Sequence, residues 1–370
     1  MSGLKTEQEI ADFVRVASGP LTIRGGRTRT LGLAAQGDVL DVSGLSGITL
    51  YEPGALTLVA QAGTPVAEIE AALAEQNQRL AFEPTDMTGL LGRTGTSTIG
   101  GVIAANASGP RRIQAGAARD FALGVRFVDG AGQVIKNGGR VMKNVTGYDL
   151  VKLMAGSFGT LGVLTEVSLK VLPAVEAEQT LVLRALSAEH AVRAMSAALG
   201  SPYEVSGAAW VDGDVWLRLE GFTASVAYRA ASLQSALAAF GGADVVDDAD
   251  WTQVRDAAPV HGSQAVWRIS VKPSDGPTVV AGLPDGVRSL MDWGGGLVWV
   301  GHDASEALHH ALQHQAASLG GHATLIKGPE ALCSAVPVFQ PEPAPVAALS
   351  AQLRARFDPR GILNPGLMVA

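Results

Sequence analysis

The chain has 370 residues, of which 47% are hydrophobic and 17% are charged. This length predicts two domains, and the composition is that of a folded protein rather than a disordered one. A net charge of −7 disfavours nucleic acid as the main partner, because phosphate backbones need a basic surface. The single cysteine, Cys333, excludes both an internal disulfide and a four-cysteine iron–sulfur cluster.

We expect no secretion signal from the N-terminal residues. Residues 1–10 contain Lys5, Glu7 and Glu9 and lack an apolar segment of the kind that signal peptides need. No apolar run approaches the roughly 18 residues of a spanning helix. We therefore expect a cytoplasmic protein.

The first half of the chain alternates short strands and helices. Helices are predicted to begin at a capping box in residues 6–9, at Thr64 with proline in the first helical position, and at residues 146–149. Predicted strands cover residues 21–24, 39–42, 56–62, 121–128, 133–136 and 163–171, the last with the alternation of a half-buried strand. The turn at residues 129–132 predicts a hairpin, and hairpins mixed with helices favour an α+β fold over a doubly wound sheet.

The second half has a different pattern. Strands are predicted at residues 180–186, 265–271, 296–300 and 323–327, a hairpin at 205–219, and helices at 188–199, 224–240 and 305–319. This order is typical of a βαββα unit followed by a less regular copy, and it predicts a smaller α/β sandwich. A proline-rich connector at residues 337–345 precedes a last helix and a tail.

Three common nucleotide and metal motifs are absent from the sequence. It has no G-x-G-x-x-G, no glycine–lysine pair and no H-E-x-x-H. These absences argue against a Rossmann dinucleotide site, a Walker A loop and a zinc-protease site.

Glycine-rich segments dominate the first 165 residues. Residues 23–30 predict a strand running into a turn whose N–H groups hold a phosphate, with Arg24, Arg27 and Thr28 as further donors. A plain hairpin turn with surface arginines is the alternative. A similar segment occupies residues 156–162.

The segment at residues 94–109 is the most informative. It combines hydroxyl side chains with Gly100 and Gly101, where a ring could lie directly on the backbone. Tight helix packing through small residues is the alternative. Together the three segments predict one large anionic ligand wrapped by backbone.

Several motifs follow one another in the order of a known family. They are I-R-G-G-R-T, A-G-T-P-V-A-E-I, P-T-D, G-T-S-T-I-G-G-V-I-A-A-N-A-S-G-P-R-R, A-R-D-F-A-L-G-V and K-N-V-T-G-Y-D-L-V-K-L-M-A-G-S-F-G-T-L-G-V-L-T-E. Across residues 21–173 the chain resembles the FAD-binding domain of the p-cresol methylhydroxylase (PCMH) and vanillyl-alcohol oxidase superfamily. The middle motifs and the tail at residues 357–366 are similar to the FAD-binding subunits of bacterial glycolate oxidases.

The resemblance implies a domain organisation. We expect an α+β fold in which a two-subdomain PCMH-type FAD-binding domain covers residues 1–174 and a smaller α/β sandwich cap covers 175–330. Residues 331–370 are expected to return to the FAD-binding domain.

The resemblance also implies a set of FAD-binding residues, running from the diphosphate turn through the flavin wall to the adenine side and the tail. They are Arg24, Gly25, Gly26, Arg27, Thr28, Gly95, Thr98, Gly100, Gly101, Ala104, Ser108, Gly109, Arg119, Asp120, Gly162, Val163, Thr165 and Asn364.

Two departures from flavin-dependent relatives shape the expected chemistry. No histidine precedes His190 and the FAD-binding domain has no cysteine, so we expect noncovalent FAD. The paired histidines of 2-hydroxy acid dehydrogenases are missing, which leaves His322 and a carboxylate-gripping Arg268 as weak catalytic candidates. The histidines around residues 302–314 are interpreted as a solvated helix face, so no metal is expected.

The expected function is therefore that of an FAD-binding subunit in a glycolate oxidase-type 2-hydroxy acid dehydrogenase complex, with an auxiliary redox or assembly role. The implied partners are a separate catalytic flavin subunit and an iron–sulfur subunit, through which the chain would dock on the inner membrane. One alternative is a self-sufficient FAD-dependent oxidoreductase acting on a small hydroxy acid, and another is a non-catalytic scaffold without flavin.

Overall fold

A computed structural model describes residues 3–29, 31–32, 37–140 and 147–368. Thr30, at the end of the first glycine-rich segment, lies outside these residues. So does Thr146, where a helix start was predicted, together with residues 143–145 of the family motif.

The N-terminal unit comprises seven named helices and nine named strands. The helices are α1 (Glu7–Val16), α2 (Val66–Ala74), α3 (Thr88–Leu91), α4 (Ile99–Ala104), α5 (Arg112–Ala115), α6 (Ala118–Phe121) and α7 (Leu150–Met154). The strands are β1 (Leu21–Arg24), β2 (Asp38–Asp41), β3 (Ile48–Glu52), β4 (Thr57–Gln61), β5 (Gln78–Arg79), β6 (Ala122–Val128), β7 (Val134–Gly138), β8 (Val163–Lys170) and β9 (Leu172–Pro173).

The cap unit and the segment that follows it supply the remaining elements. The helices are α8 (Ala188–Leu199), α9 (Thr223–Ala236), α10 (Thr252–Arg255), α11 (Gly276–Ala281), α12 (Glu306–Ser318), α13 (Glu330–Ala335) and α14 (Ala344–Phe357). The strands are β10 (Ala177–Leu183), β11 (Gly207–Val211), β12 (Asp214–Gly221), β13 (Ala243–Val246), β14 (Ala265–Ser270), β15 (Arg288–Asp292), β16 (Leu297–His302) and β17 (His322–Lys327).

A five-stranded antiparallel sheet forms the larger part of the N-terminal unit, in the order β3-β4-β8-β6-β7. The hairpin predicted at residues 129–132 joins β6 to β7. The predicted alternation of β8 is confirmed, since Val163, Thr165, Val167 and Leu169 are buried whereas Glu166 and Lys170 on the other face are partly exposed. Leu164 and Ser168 on that other face are also covered.

A smaller parallel pair, β1 and β2, forms the second part of the N-terminal unit. The chain tail lies on its other side, since the N–H of Leu21 donates to Ile362 O and Asn364 N donates to Leu21 O. The hairpin alternative for the first glycine-rich segment is therefore wrong, because β1 and β2 run parallel and a hairpin joins antiparallel strands. Helix α1 has the predicted capping box between Thr6 and Glu9.

The helix start predicted at Thr64 is displaced by one residue. Pro65 occupies the N-cap position of α2 and makes no side-chain cap. The Thr64 hydroxyl instead lies beside Gly47 and Gln61, bonding to their carbonyls at 3.2 and 2.7 Å. It ties the turn before α2 to the end of β4.

The cap unit is built on one eight-stranded sheet, in the order β13-β10-β12-β11-β15-β16-β14-β17. Two units of similar element order lie side by side, so the predicted duplication is present. The helix predicted at residues 188–199 is confirmed as α8, whereas β13 and β15 were missed in the sequence.

The two faces of the cap sheet have different neighbours. One face packs on α8, α9, α11 and α12 around a core that includes Trp267 and Met195. The other face, with Val266, Trp299 and Ile326, packs against Leu31, Met87 and Leu90 of the N-terminal unit. Residues on this second face therefore lie between the two units.

Buried ion pairs also join the two units. Arg218 of β12 donates two hydrogen bonds to Glu83, at 2.8 and 2.9 Å, and its side chain is 1% exposed. Arg111 donates two hydrogen bonds to Glu220 at 2.8 Å, and Arg79 also pairs with Glu220. Burial alone would raise the pKa of Glu220, but hydrogen bonding by Arg111 holds this pKa well below its usual range.

Candidate functional site

A cleft of about 660 Å³ runs between the two parts of the N-terminal unit. Its walls come from β1 and the turn after it, from α4, from residues 158–164, from residues 333–339 and from the tail. The three glycine-rich segments thus meet at one site. This volume is in the range of pockets that hold cofactor-sized ligands.

The turn after β1 forms one end of the cleft. Gly25 and Gly26 pack so closely on residues 96–98 that a Cβ at Gly26 would lie 1.5 Å from Thr96 O. Any larger residue at Gly26 would force the two segments apart. Both glycines also line the cleft, where bare backbone is suited to phosphate oxygens.

The two glycines of α4 have different roles. A Cβ at Gly100 would lie 2.7 Å from Ala62 Cβ, so this glycine permits tight packing of α4 on the end of β4. Gly101 has no such neighbour, with only Thr98 Oγ1 at 3.3 Å and Arg29 Nη1 at 4.0 Å, and it lines the cleft. The tight-packing interpretation is therefore confirmed for Gly100, and the contact of a flavin ring with Gly101 stays a prediction.

Arg29 is a site residue that sequence reasoning missed. Its Nη1 donates to Ser97 Oγ at 2.7 Å and its Nη2 to Thr85 O, while its buried Nε has no partner. Burial lowers the pKa of Arg29 to about 10, so the side chain stays charged at neutral pH. The signal for it was its position immediately after the predicted phosphate turn.

The charge of the cleft is of one sign. Every charged side chain among its lining residues is an arginine: Arg24, Arg27 and Arg29. The buried Thr22 Oγ1, also in the lining, has no partner. Arg27 also pairs with Asp41 at 3.5 Å, but unsatisfied donors and a lining whose only charged side chains are arginines fit an anionic ligand with many oxygens.

The far wall comes from the C-terminal residues. Asn364 accepts from Ile23 N and donates to Phe158 O, both at 2.8 Å, which ties the tail to the cleft. Val338 packs against Gly32. Phe339 packs edge-on against Phe158, with 5.3 Å between the two ring centroids. Residues 333–339 thus cover part of the opening.

Cys333 also lines this wall. Its Sγ donates to Gly328 O at 3.6 Å, and burial raises the pKa of its thiol. A protonated thiol is a poor nucleophile. Noncovalent binding remains the prediction, although a cysteine does lie at the cleft.

Eleven of the predicted FAD-binding residues line the cleft. They are Arg24, Gly25, Gly26, Arg27, Thr28, Thr98, Gly100, Gly101, Ala104, Gly162 and Asn364. The other seven lie outside it: Gly95, Ser108, Gly109, Arg119, Asp120, Val163 and Thr165.

Most of these seven have structural partners. Ser108 Oγ accepts from Ala118 N at 2.9 Å, and Thr165 Oγ1 donates to Glu7 at 2.6 Å. Asp120 accepts from Ala117 N at 2.9 Å while Arg119 is exposed. A Cβ at Gly95 would lie 2.3 Å from Gly26 O, and Val163 is buried in the core.

Gly109 contacts the cap unit, since its carbonyl accepts a hydrogen bond from Trp293 Nε1 at 3.1 Å. The weak catalytic candidates also lie there. Arg268 is on β14, on the face that meets the N-terminal unit, and His322 is at the start of β17. Neither residue lines the cleft.

The interpretation of the α12 histidines as a solvated face is wrong for His309. Its side chain is fully buried, and Nδ1 accepts from Trp267 Nε1 at 3.2 Å. Burial lowers the pKa of His309 to about 4, so the ring is neutral. His310 and His314 are exposed, and the described residues contain no group of three metal-ligating side chains.

Comparison with known proteins agrees with this geometry. A model of the FAD binding domain family matches residues 3–138. Glycolate oxidase subunit GlcE of Escherichia coli is 38% identical over 354 residues, which are 95% of this chain and 93% of the relative. Glycolate oxidase subunit GlcD of Bacillus subtilis is 44% identical over 86 residues, 23% of this chain and 18% of the relative.

A solved structure of alkyldihydroxyacetonephosphate synthase superposes with a TM-score of 0.69, covering 98% of this chain and 76% of that chain at 16% identity. At this identity the likeness shows the fold alone. The family model and the curated relatives thus define a PCMH-type FAD-binding oxidoreductase.

Within that class the full-length match is to a glycolate oxidase subunit, and the chain belongs to the family of GlcE-type FAD-linked subunits. The cofactor of this family is FAD. The cleft fits FAD, because exposed backbone, hydrogen-bond donors without a partner and arginines lie together in its lining. These are the groups that a dinucleotide with a flat ring needs.

Proposed function

We propose that this chain is the FAD-binding subunit of a glycolate oxidase-type complex that oxidises a 2-hydroxy acid. The observation that carries the proposal is the full-length match to a glycolate oxidase subunit, combined with a positively charged, glycine-lined cleft. The names of two relatives describe subunits, which supports a multi-subunit assembly.

The residues at the cleft suggest how the cofactor is held. The turn at residues 25–28 would bind the diphosphate through backbone N–H groups, with Arg24 and Arg29 supplying charge. Gly101 and Ala104 would lie against the ribityl chain and ring. Bound there, FAD supplies a two-electron acceptor.

We assign this chain an auxiliary redox or assembly role beside a catalytic flavin subunit and an iron–sulfur subunit. The support is that the described cap residues offer few side chains suited to proton transfer. Partial desolvation at the start of β17, together with the charge of Arg268, lowers the pKa of His322. No second histidine lies beside it within the described ranges, so a paired-histidine base is missing there.

No helix in the described part of the chain is long and apolar enough to cross a bilayer. We propose that any contact with the inner membrane is made through the partner subunits, from the cytoplasmic side.

The test is purification of the tagged chain from its own cells. We expect two further subunits to co-purify, with flavin and iron in the eluted complex. Purification of the chain alone, carrying flavin and reducing it with glycolate, would favour the self-sufficient oxidoreductase instead. The position of Arg268 between the two units is the observation that keeps this second function open.

A further inference from the structure

A short segment after α13 lies across the opening of the cofactor cleft. This strap comprises residues 337–340, and its first three residues line the cleft. Val338 packs against Gly32, just beyond the turn that follows β1. The ring of Phe339 packs against Phe158, which belongs to another wall of the cleft. The strap therefore touches two walls of the N-terminal unit.

The backbone of the strap is bonded to the cap unit. Leu325 N donates to Val338 O at 2.8 Å, and Ala323 N donates to Gln340 Oε1 at 3.1 Å. Both donors belong to β17, which is the last strand in the order of the cap sheet. An edge strand presents a row of N–H groups without a partner strand, and the strap covers part of this row.

A side chain of the cap unit adds two further bonds. Gln313 of α12 is 6% exposed, and its Nε2 donates to Pro337 O and to Phe339 O, both at 3.2 Å. A side-chain amide nitrogen has two hydrogens, so Gln313 uses both of its donors on the strap. Since Leu325 N holds Val338 O, three consecutive carbonyls of the strap are bonded to the cap unit.

The two ends of the strap differ. The residues before it are fixed, because Leu332, Cys333 and Val336 belong to the core of the cap unit. The residues after it, 341–346, are all exposed. Within the described residues, the hydrogen bonds of the strap go to the cap unit, and its contacts with the N-terminal unit are apolar. A strap released from the cap unit would therefore move about its α13 end.

We propose that the strap is a gate that closes over bound FAD, and that Gln313 is the positioning residue that keeps it closed. Buried ion pairs fix the cap unit on the N-terminal unit, so the strap has to part from the cap edge for the cleft to open. Uptake and release of the cofactor both need this opening. The inference rests on the proposed function, since it takes FAD as the ligand, and deepens it by naming what controls exchange of the cofactor.

The first experiment measures FAD uptake and release by the full chain. Flavin fluorescence is followed after mixing with FAD and after dilution of the loaded protein. Gln313→Leu has a similar volume but lacks both donors, so the open strap becomes more populated. We expect the association and dissociation rate constants to rise together, each about tenfold, with a much smaller change in Kd. A rise in the dissociation rate constant alone would indicate a merely structural role and would contradict the gate.

The matched control is Gln315→Leu. Gln315 lies on the same helix and donates to Thr278 O at 2.9 Å, outside the cleft lining. Both rate constants of this variant should equal those of the parent. Parent-like rate constants in Gln313→Leu would overturn the role of Gln313.

The second experiment closes the strap covalently. A Cβ at Gly32 would lie 3.8 Å from Val338 Cβ, which is close to the usual spacing in a disulfide. Oxidation of the double variant, Gly32→Cys with Val338→Cys, should slow FAD release about tenfold or more in the loaded chain and block uptake in the apo chain. Dithiothreitol should restore both. Val338→Cys alone, oxidised in the same way, is the control.

Gly32 has a φ of +69°, so cysteine is strained there, and the Gln313 experiment does not depend on this variant. FAD release from the oxidised double variant at the parent's rate would overturn the gate while leaving the proposed function intact. A parent chain that takes up no FAD would contradict the proposed function and the gate together.

Discussion

The cofactor cleft and the interface between the two units both contain arginines, yet they are built in opposite ways. The cleft uses backbone bared by glycines that are close in sequence, with arginines around it. The interface uses side chains such as Arg112 and Arg268, which are 156 residues apart in the chain and meet over the Trp293 ring. Backbone sites can be recognised from local sequence, whereas side-chain sites need the tertiary fold.

The largest effect is expected from Gly101→Val, which tests whether the cofactor lies directly on the backbone of α4. A Cβ at Gly101 meets only Thr98 Oγ1 at 3.3 Å and Arg29 Nη1 at 4.0 Å, so the apo fold should tolerate the change, but the added side chain would fill the space of the cofactor. We expect no flavin uptake with little change in Tm. Flavin absorbance after reconstitution measures the first and thermal unfolding the second.

The matched control is Gly242→Val, at an exposed cap glycine whose Cβ would meet no atom within 4 Å. This variant should load flavin normally. Normal flavin content in Gly101→Val would show that the cofactor does not lie on α4.

The ion pairs between the two units test how far the interface depends on side chains from distant parts of the chain. Glu220→Gln should lower the free energy of unfolding by about 3–5 kcal/mol, because Arg111, Arg79 and Arg218 lose a buried counter-charge. Denaturant unfolding measures this. Glu204→Gln, which removes an exposed partner of Arg229, is the control and should change stability by under about 1 kcal/mol.

Arg29→Gln tests the side-chain contribution to the cleft. The Arg29 Nε is buried without a partner, so we expect it to donate to an anionic oxygen of FAD, and its loss should weaken FAD binding about tenfold. Arg29→Lys should be intermediate. Fluorescence titration measures the affinity, and Arg93→Gln, at an exposed arginine outside the cleft lining, should match the parent.

A weaker effect is expected from the pH dependence of stability. Burial raises the pKa of Asp292 from 3.8 to about 8, so the folded chain holds this proton to higher pH than the unfolded chain does. The stability from this group is therefore present below pH 3.8 and is lost as the pH rises through 8. Asp292→Asn should gain Tm relative to the parent as the pH rises from 5 to about 9. A difference that stays constant with pH would contradict the assignment.

Much of the fold could be predicted from the sequence, because many elements are determined by local patterns. Helix α8 and the β6–β7 hairpin follow from local periodicity and turn residues. Strand β15 was missed because one of its two neighbours in the sheet is β11, a long-range partner that the local sequence does not reveal.

The same division applies to the site. The turn after β1 and the glycines of α4 were predicted, because a run of small residues bares the backbone wherever the chain folds. Arg29 was missed because only its tertiary contacts with Ser97 and Thr85 bury it at the cleft. His309 was misassigned because the burial of one helix position depends on Trp267 of another element.

Bared main-chain amides and arginines in one cleft should be sufficient to hold a flavin nucleotide without a covalent bond. Titration of the purified full chain with FAD, followed by acid precipitation, measures this. We predict uptake of one FAD per chain and its release, unmodified, into the supernatant. A colourless chain that takes up no FAD under any reconstitution condition would contradict this mode of binding.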